Sequence, residues 1–228
     1  MFRVKICGIT TVAEAEAVVD AGADAIGLNF YPKSPRCIDP ATAEEIVSAV
    51  GGRLGIVGVF VNASTGQMAR LADQLPLDYI QLHGDEPTGQ LSELAPRRAI
   101  RALRLRRDHE DSIAEFLTAA RTSGAPPAAI LVDAYQQGSF GGTGTIVNWG
   151  QVKDLKARLG DCALILAGGL HPTNIRDAIH QTACDGVDVA SGVELRPGVK
   201  DIGKMRQFVI TAMEALGEVE EKSSKQPD

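Results

Sequence analysis

Short apolar runs rich in Val, Ile and Leu alternate along the chain with stretches whose apolar residues recur every three to four positions. The first pattern suits strands buried on both faces, and the second suits the helices that cover them. The strand-like runs are Phe2–Ile6, Asp24–Asn29, Leu54–Val61, Tyr79–His83, Ala99–Leu105, Ala129–Asp133, Ala163–Ala167 and Gly186–Ala190. The helical stretches are Val12–Ala21, Thr42–Val50, Thr65–Leu75, the segment after Pro87 to Ala95, Asp111–Thr122, Trp149–Leu159, Thr173–Gln181 and Ile202–Leu216. Strict alternation implies parallel strands joined by right-handed crossovers. Six units would give an open sheet, whereas eight units by residue 216 predict closure into a barrel. The expected fold is α/β, a single (β/α)8 TIM barrel over residues 1–216. The polar segment 217–228 is expected to be a disordered tail.

Composition narrows the function. The 228 residues are 44% hydrophobic but only 4% aromatic, so Ala, Val, Ile and Leu must fill the core. Asp and Glu number 29 against 23 Lys and Arg, a net charge of −6. Such a chain repels phosphate backbones, and nucleic acid is not expected as a partner. The one basic cluster, Arg97, Arg98, Arg101, Arg104, Arg106 and Arg107, reads as solvated strand and loop ends. No signal peptide or membrane-length apolar run is seen, and the four cysteines (Cys7, Cys37, Cys162, Cys184) form no C-x-x-C pair. A cytoplasmic protein without zinc, disulfides or membrane contact is expected. Asn62-Ala63-Ser64 matches a glycosylation acceptor, a chance match without secretion.

In a closed parallel barrel the C-terminal strand ends share one mouth. Glycine-rich segments follow the last three strands there: Gly141-Gly142-Thr143-Gly144, Gly168-Gly169 and Ser191-Gly192. Glycine lets backbone N–H groups approach an anion closely, and a short helix start adds unpaired N–H groups. Three such loops side by side suggest a phosphate cradle; each alone is also an ordinary turn. Neither a G-x-G-x-x-G after a strand nor a G-x-x-x-x-G-K-[ST] is present, which excludes dinucleotide and P-loop sites.

Two further strand ends carry chemistry. Cys7 and Asp133 close the first and sixth strands, where a base and an acid straddle a small substrate. A thiolate is a usable base if neighbouring cations lower its pKa, and Lys5 alternates onto the same face. A carboxylic acid donates a proton when a dry pocket keeps it protonated. Inert packing for the cysteine and a cap or ion pair for the aspartate are the plainer readings. Arg36 sits between Pro35 and Cys37 in a proline-stiffened loop, and its guanidinium suits a substrate carboxylate or stays on the surface. His83 faces the same rim, as a substrate contact or as a structural histidine.

Taken together these motifs resemble the phosphoribosylanthranilate isomerase family of tryptophan biosynthesis. The resemblance rests on Lys5-Ile6-Cys7-Gly8-Ile9-Thr10, Phe30-Tyr31-Pro32-Lys33-Ser34-Pro35-Arg36, Gln81-Leu82-His83-Gly84-Asp85-Glu86, Leu131-Val132-Asp133-Ala134 and Gly186-Val187-Asp188-Val189-Ala190-Ser191-Gly192-Val193-Glu194. It implies an Amadori rearrangement of N-(5-phosphoribosyl)anthranilate without metal or organic cofactor. On that resemblance Asp133 is the general acid, Cys7 the general base and Arg36 the clamp for the anthranilate carboxylate. Gly141, Gly142, Gly144, Gly168, Gly169, Ser191 and Gly192 would hold the phosphate, with His83 beside the substrate. Cys37 departs from the family, which often has an aromatic residue there. A histidine-pathway type of aminoaldose isomerase, which resembles a two-aspartate design, and a non-catalytic barrel that binds a phosphorylated ligand are the alternatives. Whether the protein is a monomer or a homodimer stays open.

Overall fold

The computed structural model describes residues 1–105, 110–122, 124–134 and 148–224. Eight parallel strands close into a barrel in chain order, each followed by a helix. The first half comprises β1 (Val4–Cys7), α1 (Val12–Ala21), β2 (Ala25–Asn29), α2 (Pro40–Val50), β3 (Gly55–Phe60), α3 (Thr65–Gln74), β4 (Tyr79–Leu82) and α4 (Gly89–Leu94). The second half comprises β5 (Ala99–Leu105), α5 (Glu110–Thr122), β6 (Ala129–Ala134), α6 (Trp149–Leu159), β7 (Ala163–Leu166), α7 (Ile175–Thr182), β8 (Gly186–Val189) and, after a short hairpin, α8 (Ile202–Ser224). The hairpin strands, β9 (Glu194–Arg196) and β10 (Val199–Lys200), pair antiparallel outside the barrel sheet. They follow one turn of 3-10 helix at Ser191–Val193. Among the described residues no helix is long and apolar enough to cross a membrane.

Local chemistry sets the element ends. The Thr11 side chain accepts from Glu14 N at the start of α1, and Gly22 ends that helix at φ 80°, a left-handed geometry that glycine adopts without strain. Asp39 caps α2 ahead of Pro40, and Ser64 and Gln67 form a reciprocal capping box on α3. At the opposite rim a repeated device aligns the strands. Asp24, just before β2, accepts from Arg3 N and Val4 N at 2.8 Å. Asp78, before β4, accepts from Ile56 N at 2.7 Å, and Asp185, before β8, from Leu164 N at 2.6 Å. Each carboxylate thus satisfies an N–H of the preceding strand.

Two apolar layers result. Inside the barrel, small and medium side chains meet: Ala25, Val57, Val59, Ile100, Ala129, Leu131 and Ile165, closed at one end by Phe2 and Tyr79. Outside it, the helices bury Val18, Ile46, Leu155, Ile179 and Phe208 against the outward strand faces. The final helix departs from expectation by running to Ser224, where residues 217–224 were read as tail. Ion pairs from α7 reach the second half of this helix: Arg176 to Glu214 and Glu218, and His180 to Glu218 at 2.9 Å. Arg3 adds a contact to Glu220 at 3.6 Å. Residues 225–228 lie outside the described residues.

Candidate active site

The C-terminal strand ends surround a cavity of about 290 Å³. Its lining includes Cys7, Arg36, His83, Asp133, Gly168, Gly169, Ser191 and Gly192, so the structure gathers these sequence-predicted residues at one mouth. Gly141, Gly142 and Gly144, together with Arg106 and Arg107, lie outside the described residues.

Cys7 enters from β1, and Gly27 opposite it in the β1–β2 register makes the space. A Cβ at Gly27 would fall 2.6 Å from the Cys7 sulfur. Two positions earlier on β1, on the same face, Lys5 is fully buried with Nζ 2.9 Å from Asp188 Oδ1. Lys5 and Asp188 are register partners across β1 and β8. Neither Nζ nor Oδ1 gains an aligned hydrogen bond from this contact, so the pair attracts as charges. Burial opposes the Lys5 charge, but Asp188 and Cys7 outweigh it and hold the ammonium above its ordinary value. For Cys7 the balance falls the other way. Burial pushes the thiol up, Asp188 adds to the rise, and Lys5 and Lys200 offset it only in part. The surroundings thus favour the neutral thiol over the thiolate, so the condition set for a strong base, a value lowered by neighbouring cations, is not met in this state.

Arg36 is buried rather than a free surface residue. Its Nε donates to Glu194 Oε1 at 2.7 Å and Nη2 to Oε2 at 2.8 Å, a bidentate pair. Lys200 donates to the same Oε1 at 2.9 Å and to Ala190 O at 3.0 Å. Arg36 and Lys200 bring the Glu194 carboxyl below its ordinary value, although burial works against them. Burial lowers the Lys200 ammonium. The β9–β10 hairpin supplies both Glu194 and Lys200 and is stitched to the start of the chain. Thr10 Oγ1 donates to Gly198 O at 3.1 Å, and Lys200 N donates to Glu14 Oε1 at 2.7 Å. Gly8 completes the fit, since a Cβ there would lie 2.4 Å from Arg36 Cδ. Two of the guanidinium N–H groups are thus committed to Glu194, which fixes the plane in which the rest of the fork is presented.

Asp133, one residue before the end of β6, is buried at the cavity, with Oδ2 3.2 Å from His83 Nε2. His83, just after β4, has Nδ1 2.7 Å from Nε2 of the fully buried Gln81, two residues back in that strand. Below this corner Arg101, read from sequence as solvated, is buried and donates to Glu86 Oε2 at 2.6 Å. Glu86 also accepts from Asn62 N at 2.8 Å and Gly84 N at 2.9 Å, which ties the loops flanking His83 together.

The two described glycine loops interlock. Gly168 and Gly169 have φ of 83° and 66°, and their N–H groups find no backbone acceptor among the described residues. A Cβ at Gly192 would stand 1.8 Å from Leu170 O, so no side chain fits where the β7 and β8 loops meet. Gly168, Gly169, Ser191 and Gly192 line the cavity from these two adjacent loops, a glycine-rich surface of the kind that suits an anion.

A family model described as N-(5'-phosphoribosyl)anthranilate isomerase matches residues 4–211. The chain belongs to this family. N-(5'-phosphoribosyl)anthranilate isomerase of Geotalea daltonii is 43% identical over 221 residues, covering 95% of this chain and 99% of that protein. The Pseudomonas aeruginosa isomerase is 45% identical, covering 91% and 93%. The crystal structure of the Thermotoga maritima phosphoribosylanthranilate isomerase superposes with a TM-score of 0.81 at 35% identity, covering 94% of this chain and all of that one. A phosphoribosylanthranilate isomerase in complex with reduced 1-(o-carboxyphenylamino)-1-deoxyribulose 5-phosphate superposes at 0.79 with 34% identity. The isomerase family match spans every site residue named above. Sequence reasoning gave no role to Asp188, Glu194, Lys200 or Gln81. The inward parity of Asp188 and Gln81 on their strands was a usable signal, whereas nothing local announced that a hairpin after β8 would reach Arg36.

Proposed function

We propose that this protein isomerises N-(5'-phosphoribosyl)anthranilate to the corresponding 1-deoxyribulose 5-phosphate, with Asp133 as acid and Cys7 as base. The observation that carries the reading is that a thiol, a carboxyl group, a held guanidinium and an anion-suited glycine surface line one small cavity. The phosphate would rest on the N–H groups around Gly168, Gly169, Ser191 and Gly192, and Arg36 would face the anthranilate carboxylate with its uncommitted N–H groups. Asp133 protonates the ribose ring oxygen, the ring opens, and the nitrogen lone pair forms an iminium. The positive nitrogen acidifies the C2′ proton, which Cys7 removes to give an enolamine. The cycle closes when the enolamine takes up a proton at C1′ and gives up its hydroxyl proton. Substrate chemistry of this kind, and the free thiols, suit a cytoplasmic setting.

The test follows the loss of phosphoribosylanthranilate fluorescence with purified protein. Asp133→Asn is expected to abolish turnover, and Cys7→Ser to lower it by roughly 100-fold or more. Wild-type rates in either variant would remove that residue from the mechanism. No turnover by folded wild-type protein would leave a non-catalytic phosphate-binding barrel as the better reading.

A further inference from the structure

Behind Asp133 stands a buried chain that its role as an acid does not by itself require. Gln81 Nε2 is 2.7 Å from His83 Nδ1, and His83 Nε2 is 3.2 Å from Asp133 Oδ2. An amide nitrogen can only donate, so Nδ1 must offer its lone pair and the ring proton must sit on Nε2. From there it donates to Oδ2. Turning the amide over would leave an NH₂ with two unpaired protons inside the barrel, which is rarer than the single unpaired carbonyl oxygen, Gln81 Oε1, that the present arrangement leaves.

The alternatives to this tautomer are both harmful to an acid. With the proton on Nδ1, the Nε2 lone pair would face Oδ2 and draw the carboxyl proton toward the ring instead of the substrate. With both nitrogens protonated, an imidazolium would pair with Asp133 and favour its ionised form, which has no proton to give. The remaining ionisable groups lining the cavity, Cys7, Tyr31, Lys33, Arg36 and Asp188, come from β1, the loop after β2, and β8. Gln81 is the neutral group that holds Nδ1.

Resting on the isomerase reading above, we propose that Gln81 is a positioning residue for the first proton transfer. It fixes His83 as the neutral Nε2–H form, which donates to Oδ2 and does not compete for the carboxyl proton. Gln81 never touches substrate and acts through the imidazole.

The test uses the full chain with ¹⁵N-labelled histidine, free of ligand at neutral pH. Two-bond ¹H–¹⁵N correlations distinguish the two neutral tautomers and the imidazolium, and the spectrum of His83→Asn assigns the signal among the four histidines. Wild-type His83 is expected in the Nε2–H form. Gln81→Glu, which can accept but not donate, is expected to move the proton to Nδ1 or charge the ring. It should lower kcat roughly 10–100-fold with KM nearly unchanged. Gln81→Met, which does neither, should give a mixture of tautomers and a smaller loss. An Nδ1–H or imidazolium signal in the wild type overturns the proposal, as does a Gln81→Glu protein with altered tautomer and undiminished kcat. If Gln81→Glu fails to fold, the wild-type spectrum and Gln81→Met decide. An Nε2–H signal in a wild type that turns over no phosphoribosylanthranilate would bring down the isomerase reading, while the tautomer assignment stands.

Discussion

At the scale of single residues, the site depends on what is missing as much as on what is present. A methyl group at Gly27 would lie 2.6 Å from the Cys7 sulfur and 3.1 Å from its Cα, too close for either to stay. Gly27→Ala is therefore expected to displace the thiol by up to about 1 Å and to lower kcat roughly 100-fold. Circular dichroism should show the barrel intact, and a near-normal rate would mean that the sulfur's place is not critical. The thiol also sets a pH dependence. Its folded value lies above the ordinary one because burial disfavours the thiolate. The basic form is then scarce at neutrality and grows as pH rises. Where Cys7 is the limiting group, kcat/KM should climb about tenfold per pH unit from neutrality until the raised value is reached. A flat profile would show that substrate-free Cys7 is already ionised. Cys7, Asp133 and Arg36 were legible in the sequence because strand parity and loop position point to them. The raised thiol was not, since its cause is the depth of the burial and the nearby Asp188.

At the scale of elements, the strands and helices follow closely from periodicity, with ends within two residues of expectation for all but the last helix. The β9–β10 hairpin was not foreseen. Its strands span three and two residues, too short for an alternating pattern to emerge, and its buried partners are remote in sequence. Yet it determines how Arg36 is held. Glu194→Gln would leave a guanidinium and an ammonium facing one neutral amide in a buried position. Breaking such a pair costs about 3–5 kcal/mol. Denaturant unfolding should show a loss of that size, and KM should rise because the fork is no longer held in one plane. An unchanged KM with reduced stability would confine Glu194 to a purely structural role.

At the scale of the whole molecule, closure is governed by the contact between the two ends of the chain. Helix α8 packs on α1, α7 and β1, and its Phe208 is wholly buried. Phe208→Ala should cost about 3–5 kcal/mol. At about 2–4 °C per kcal/mol for a chain of this size, the melting temperature should fall by roughly 6–20 °C. A shift of only a degree or two would mean that the barrel does not rely on α8. The barrel as a whole was legible because eight repeats of one pattern leave few topologies open. The length of α8 was not, since the polar residues after Leu216 are kept helical by partners on α7 that are distant in sequence.

The links from Lys5 to Asp188 and from Arg36 to Glu194 join residues near the start of the chain to residues near its end. A ribosome therefore delivers the sulfur and the guanidinium long before the carboxylates that complete their surroundings. Until β8 and the hairpin emerge, a nascent copy has the reactive groups but no place to use them, and work on the substrate must wait for the closing strand.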